Sequence, residues 1–469
     1  MADIDELLGS TIAEVSGLIE RREVSPAALV EAQLARIAAL DGRIGSHLLV
    51  TADLAREQAG RAEREIAAGR YRGRLHGIPL GLSDLVATRG IPTTCGSSML
   101  RDFRPDHDAA VVEKLAAAGA VCTGKLALAE FGFDGYHPAF TPPRNPWQGA
   151  HEAGVSAGGA AAATAAALCF GALGTDTGGS LRGPAAACGV VGLKPTFGRI
   201  SRHGVFPLAD TLDHVGLVTR SVADAAILLA VLEGRDSRDP VSRHDPQVDY
   251  LAAVAAGAGG LRVGIDRAYC AADTDPAQAD ATARACFILK GQGLDIVDID
   301  LAGITEACAH WLATCAVDAL HRHREFFPRR AGEYGPAFRA LLEHGLAVSA
   351  EAYARGQRAR QATTGLLDAA LRDVDCILCP ASPRPAQPSR DLPLDAGAPP
   401  ALAALLRFSA PTNFSGHPSV TVPNGFTADG LPTAMQFIGR HGDEATVLRA
   451  AGAYERATGW HRRRPSLAP

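Results

Sequence analysis

The chain has no surplus of positive charge, no long hydrophobic run and no cysteine framework, and each absence removes a class of function. Lys plus Arg is 46 and Asp plus Glu is 51, a formal net charge of −5, so nothing steers a nucleic acid or an anionic membrane toward it. The most apolar stretch, GGAAAATAAALCFGALG from Gly158 to Gly174, is mostly Ala and Gly. It is too short and weakly hydrophobic to span a bilayer and is predicted as a buried helix. MADIDELLGS carries acids where a secretory leader has a basic region, so the expected location is the cytoplasm. Ten cysteines in 469 residues are too dilute for a disulfide scaffold. The one Cys-x-x-Cys, Cys376 and Cys379 in VDCILCP, reads as a buried strand with two small apolar thiols rather than a redox or zinc motif.

What remains is a soluble α/β composition, 47% hydrophobic and 21% charged, which argues against disorder and coiled coil. Residues from about 9 to 70 are helical in pattern, with Ser25 an N-cap, Pro26 at N1, and Leu29, Leu34, Ile37 and Leu40 at helical spacing. From about 71 to 234, short apolar runs (HGIPLGL, AVCTGKL, GVVGLK, VGLVTR) alternate with helical segments such as DAAVVEKLAAAG and VADAAILLAVLEG, the pattern of a sheet covered by helices. A second α/β stretch and a helical cap occupy about 260–370, and Trp311, Phe326 and Phe327 there are candidates for an apolar pocket, although such clusters are more often core. A Pro-rich loop over 380–400 precedes two strands, PSVTVPNGF and LPTAMQFIG, around the turn ADG, and a helix from Asp443 to Thr458.

The chemistry concentrates in GTDTGGSLRGPAAACGVVGLKPT, Gly174 to Thr196. Two residues without side chains precede Ser180, so a carbonyl can approach the backbone N–H groups beside a hydroxyl. A second serine, Ser156, lies upstream in GVSAGG. Alone, a Gly-Gly-Ser turn is usually only a loop. Together with HGIPLGLSDLVATRGIPTTCGS, GKLALAEFGF, DCILCPASP, PTNFSGHPSVTVP and GLPTAMQFIG, the pattern resembles the amidase signature family of Ser-cisSer-Lys amidohydrolases along essentially the entire chain.

The resemblance implies one amidase domain over 1–469: a helical layer over 9–70, a catalytic core over 71–234, a cap over 260–370 and a return to the core over 371–469. The implied fold is a mixed, twisted β-sheet covered by α-helices. It also implies that Ser180 is the nucleophile of an acyl-enzyme mechanism, that Ser156 is a cis-peptide serine relaying the proton, and that the N–H groups of Thr177, Gly178, Gly179 and Ser180 form the oxyanion hole. Asp176 and Arg182 match positions that brace the loop. No metal or organic cofactor is implied, the partner is a small-molecule amide, and a homodimer is the base-rate expectation.

One departure bears directly on the mechanism. The family's catalytic lysine position is occupied by Ser83 in Gly77-Ile78-Pro79-Leu80-Gly81-Leu82-Ser83-Asp84. A buried lysine can be made neutral and accept a proton near pH 7, whereas a serine can only pass one on. Val155 and Ala157 also replace the family's usual glycine and serine beside Ser156. Lys125 and Lys194 match family positions of their own, and Lys114 and Lys290 lie in helical patterns. His137 and His151 are the candidate alternative bases. Three functions follow: an amidase on a small linear carboxamide with impaired proton transfer, a non-catalytic ligand- or partner-binding member, or an acyl- or amidotransferase.

Overall fold

The structure is a computed structural model, and it describes residues 4–389 and 399–467. Eleven strands form one mixed sheet: β1 (His47–Val50), β2 (Pro79–Ser83), β3 (Val121–Leu126), β4 (Gly171–Asp176), β5 (Val191–Lys194), β6 (His214–Thr219), β7 (Arg262–Ile265), β8 (Asp295–Asp298), β9 (Cys376–Pro380), β10 (Ser419–Phe426) and β11 (Pro432–Gly439). Their spatial order is β1-β3-β2-β4-β6-β5-β10-β11-β9-β7-β8. β2 runs parallel to β3 and β4, the middle of the sheet from β4 to β9 is antiparallel, and β7 runs parallel to β8 and β9.

Most predicted elements are found where their periodicity places them. Ser25 accepts from the Ala28 N–H at the start of Pro26–Ile44, and Asp443 caps Glu444–Thr458. Cys376 and Cys379 are buried in β9. Three residues apart on a strand, they sit on opposite faces. Part of the Pro-rich loop, 390–398, lies outside the described residues. Two expectations are corrected. Gly158–Gly174 is not one helix: the helix Gly158–Ala165 ends before Ala167, which has φ +57°, and β4 begins at Gly171. Gly159 explains the close seat of that helix, because a Cβ there would fall 2.6 Å from Ala127 N and 2.7 Å from Ser46 O. The N-terminal layer also contributes β1, antiparallel to β3, as well as helices. Among the described residues no helix is long and apolar enough to cross a membrane.

β4 ends at Asp176, and the chain turns there into the helix Arg182–Cys188. Both ends of that turn are tied by one buried ion pair. Arg182 Nε and Nη2 lie 3.0 Å from the two Asp176 carboxylate oxygens, and both residues are fully buried. The remaining guanidinium hydrogens reach Thr412 Oγ1 (2.7 Å), Gln436 Oε1 (3.0 Å), Asn413 Oδ1 (2.8 Å) and the Ser409 carbonyl (3.0 Å). Burial alone would push Asp176 up. The Arg182 charge and hydrogen bonds, with Lys194 and Asn413, override it and hold the carboxyl well below the usual carboxylate range. Such a pair is stabilising only while complete, since removing one partner leaves a buried charge uncompensated. Arg182→Met is expected to cost about 3–5 kcal/mol, read as a lower urea midpoint at unchanged m-value. Asp176→Asn combined with Arg182→Met should cost less than the sum of the two single losses.

Candidate active site

The turn from Thr177 to Leu181 forms the wall of a cleft of about 110 Å³. Its carbonyls are held from outside by side chains distant in sequence. Asn413 Nδ2 donates to the Asp176 carbonyl (2.8 Å), Trp311 Nε1 to that of Thr177 (2.9 Å), and Ser409 Oγ to that of Gly178 (2.6 Å). Gly183 N–H holds the Gly179 carbonyl at 2.8 Å. A trans peptide points its N–H opposite to its C=O, so these anchors also fix where the N–H groups of 177–180 point. The Thr177 side chain is held in turn by Asp213, whose Oδ1 is 2.7 Å from Thr177 Oγ1. Burial raises the Asp213 carboxyl to about 7 despite the donors around it.

The sequence predicts four oxyanion-hole donors, and the structure divides them. Thr177 N–H points to Ser180 Oγ (3.2 Å), and Gly179 N–H to Asp176 Oδ1 (2.9 Å). Those of Gly178 and Ser180 have no acceptor among the described residues. Glycine is required at 178 and 179. A Cβ on Gly178 would sit 2.6 Å from the Trp311 ring, and Gly179 has φ +110° with Ser409 against it. No local motif signals that Trp311 and Ser409 serve this loop.

Ser180 is half-buried at the cleft, and its hydroxyl donates to the Thr175 carbonyl at 3.0 Å. Ser156 is buried, with its hydroxyl donating to the Gly132 carbonyl at 2.8 Å. Its backbone departs from the expected cis peptide: the only cis bond among the described residues is Phe327–Pro328, and Ser156 takes φ +76° on a trans bond. A left-handed residue reverses the chain direction there in place of a cis bond. Ser83, at the end of β2, is 1% exposed and its hydroxyl has no partner among the described residues. It faces a small apolar corner, 3.1 Å from where a Gly174 Cβ would lie, and Ala157 lines the same spot. No hydrogen bond joins any two of these three serines among the described residues.

Neither the two buried lysines nor the two candidate histidines bonds any of these serines among the described residues. Leu82 pairs with Lys125 and Ser83 with Leu126 across β2 and β3, and successive strand residues face opposite sides. Lys125 therefore lies across the sheet from Ser83, donating to the Val86 carbonyl (2.6 Å) and Thr93 Oγ1 (2.7 Å), with Asp84 at 3.5 Å. Lys194 donates to the His417 and Pro195 carbonyls. Burial lowers the pKa of both lysines, but neither bonds a serine of the site. His137 is engaged by Ser98 Oγ and the Ala139 N–H, each at 3.0 Å, and does not line the cleft. His151 lies in a bridge to Pro388, also off the cleft, with a buried Nδ1 that has no partner among the described residues.

The rest of the cleft lining mixes apolar and polar side chains. Trp311 lines it and stacks near-parallel to Phe133, with ring centroids 6.3 Å apart at 8°. Leu208, Leu402, Leu405 and Leu406 add aliphatic surface, and Asp134, Glu152, Gln278 and Arg384 supply polar groups. Phe326 and Phe327 are not at the cleft. Phe327 is buried against Tyr334, and Phe326 carries Arg330 over its ring at 5.7 Å.

Comparison with known proteins agrees with this architecture. The family model described as Amidase matches residues 28–448. AmiD of Mycobacterium tuberculosis, a protein that carries an amidase name, is 42% identical over 469 residues, covering 99% of this chain and 98% of that protein. A glutamyl-tRNA(Gln) amidotransferase subunit of Chloroflexus aggregans is 38% identical over 488 residues, covering 99% of each. The crystal structure of a bacterial aryl acylamidase of the amidase signature family superposes with a TM-score of 0.88 at 27% identity, over 98% of this chain and 99% of that one. A sheet, a serine turn and a family match that run together through nearly all of these residues place the chain in the amidase signature family.

Proposed function

We propose that this protein is a serine-nucleophile amidase of an amide with an apolar or aromatic acyl group, its proton transfer cut short at Ser83. The observation that carries the reading is the pairing of the half-buried Ser180 hydroxyl with the two unengaged N–H groups of Gly178 and Ser180 at one apolar cleft. Attack by Ser180 Oγ on the amide carbon would place the developing oxyanion on those donors. The leaving amine must then be protonated, and water must later be deprotonated to cleave the acyl-enzyme. Both steps need a group that exchanges protons near pH 7, and Ser83 does not supply one.

The aromatic lining of the cleft favours a flat or branched acyl group, and the likeness to an aryl acylamidase agrees with that. The amide need not be linear, because a 6-aminohexanoate cyclic dimer hydrolase has the same fold, at a TM-score of 0.88 and 28% identity.

Intact mass after exposure to a fluorophosphonate tests this reading. Slow, single labelling of the natural sequence is expected, abolished by Ser180→Ala. Ser83→Lys should accelerate both labelling and anilide hydrolysis by about 10²–10⁴-fold. Absence of labelling in the Ser83→Lys protein as well would overturn the assignment of Ser180. In that same background, Trp311→Phe removes the donor holding the Thr177 carbonyl and so loosens the Gly178 N–H. Its expected effect is a fall of about 10–10²-fold in acylation rate, with a lower urea midpoint from the unpaired Thr177 carbonyl.

A further inference from the structure

Far from the serine turn in sequence, three side chains converge from three different elements. Asp368 lies in the helix Ala350–Asp373, His417 follows the left-handed Gly416 just before β10, and His441 lies in the turn after β11. Their ligand atoms all lie within 4.8 Å of one another. His417 Nε2 is 3.1 Å and His441 Nδ1 3.8 Å from the same Asp368 oxygen, and the two rings stand 3.8 Å apart.

The tautomer of His441 follows from its outer partner. Its Nε2 is 2.8 Å from the Ser415 carbonyl, which can only accept, so Nε2 carries the proton and Nδ1 keeps its lone pair. That lone pair is directed to the Asp368 side, where a carboxylate oxygen is also an acceptor. The same oxygen takes the Nε2 hydrogen of His417 at 3.1 Å, so a cation that displaced this hydrogen would meet three lone pairs, one from each side chain. An imidazole fixed by a backbone carbonyl through its other nitrogen is the usual arrangement of a metal-bound histidine.

We propose that Asp368, His417 and His441 form a binding site for a divalent transition metal, with Zn²⁺ the best match to two neutral imidazoles and one carboxylate. Three protein ligands leave the remaining positions to water. His417 Nδ1 is buried without an acceptor, so this ligand lacks the outer partner that His441 has, and such a loss typically weakens affinity by about 10–100-fold. Micromolar binding is therefore expected rather than the tighter hold of a closed structural site. An ion here would clamp the helix 350–373 and the β11 turn to the segment 410–417, which also carries Thr412 and Asn413 against Arg182. Its role would be to stiffen the support of the serine turn from behind.

The test is titration of EDTA-treated full-length protein with ZnCl₂, followed by calorimetry and thermal unfolding. One equivalent should bind in the natural sequence and raise Tm by about 2–3 °C at saturation. Asp368→Asn, at an exposed position, and His441→Gln, at a partly exposed one, should each weaken binding at least tenfold and leave the metal-free Tm nearly unchanged. Co²⁺ in place of zinc should give ligand-field bands without thiolate charge transfer, separating this site from the ten cysteines. No saturable binding, or binding equally tight in both variants, would overturn the proposal. Since the variants leave Ser180 and its loop untouched, either result stands independently of the amidase reading.

Discussion

The buried pair of Asp176 and Arg182 is the constraint on which the site depends. Its geometry is costly to assemble, because two charges are withdrawn from water, and only full hydrogen bonding offsets that. Here the offset is complete: both guanidinium edges are used, and Asp176 also receives Asn413 Nδ2 and the Gly179 N–H. The pair thus fastens the end of β4 to the start of the next helix and to the segment 409–413. Together with Trp311, Ser409 and the Gly183 N–H, that fastening holds the peptide planes of the serine turn. An oxyanion hole needs donors fixed before the reaction, and the ion pair supplies this stiffness without touching the cleft.

Much of this is legible in the sequence, and the reasons for success and failure are physical. The strand in VDCILCP is a continuous apolar run, as expected where a sheet is buried on both faces. Ser180, Ser156 and Ser83 carry their identities in local motifs, so their places can be read directly. The helix-to-strand break near Ala167 is hidden, because Ala and Gly suit a closely packed helix and a closely packed strand alike. The division of the four N–H groups is hidden too. It depends on Trp311, Ser409 and Asn413, which reach the turn only after the chain folds. Trp311, expected as core or pocket wall, is pocket wall and a backbone anchor besides. Asp368, His417 and His441 come from three separate elements and form no motif at all.

Sheet geometry keeps the nearest buried lysine away from Ser83. The adjacent buried lysine on β3 is only one residue out of register, but a shift of one residue on a strand is a change of face. Lys125 is held there by the Val86 carbonyl, Thr93 and Asp84, on the side opposite the serine turn. Crossing the sheet is not open to it without breaking the ladder between β2 and β3. Proximity in sequence and in space is therefore no substitute for proximity on one face.

Proton transfer could be limited by the missing base or by the resting orientation of the serines, and magnitudes separate the two. Ser180 and Ser156 both give their protons to backbone carbonyls, those of Thr175 and Gly132. Redirecting a hydroxyl from such an acceptor costs about 0.5–1.5 kcal/mol net, and two of them at most about 3 kcal/mol. A factor of 10²–10⁴ from a positioned base is worth about 2.7–5.4 kcal/mol. The two ranges barely overlap, and the carbonyl bonds are partly recovered when each hydroxyl finds its new partner. Orientation is then a modest penalty on a relay that has a base, whereas no orientation of three serines creates a proton acceptor near pH 7. On the proposed reading, the limiting element is therefore the chemistry at position 83 and not the resting orientation of Ser180 and Ser156.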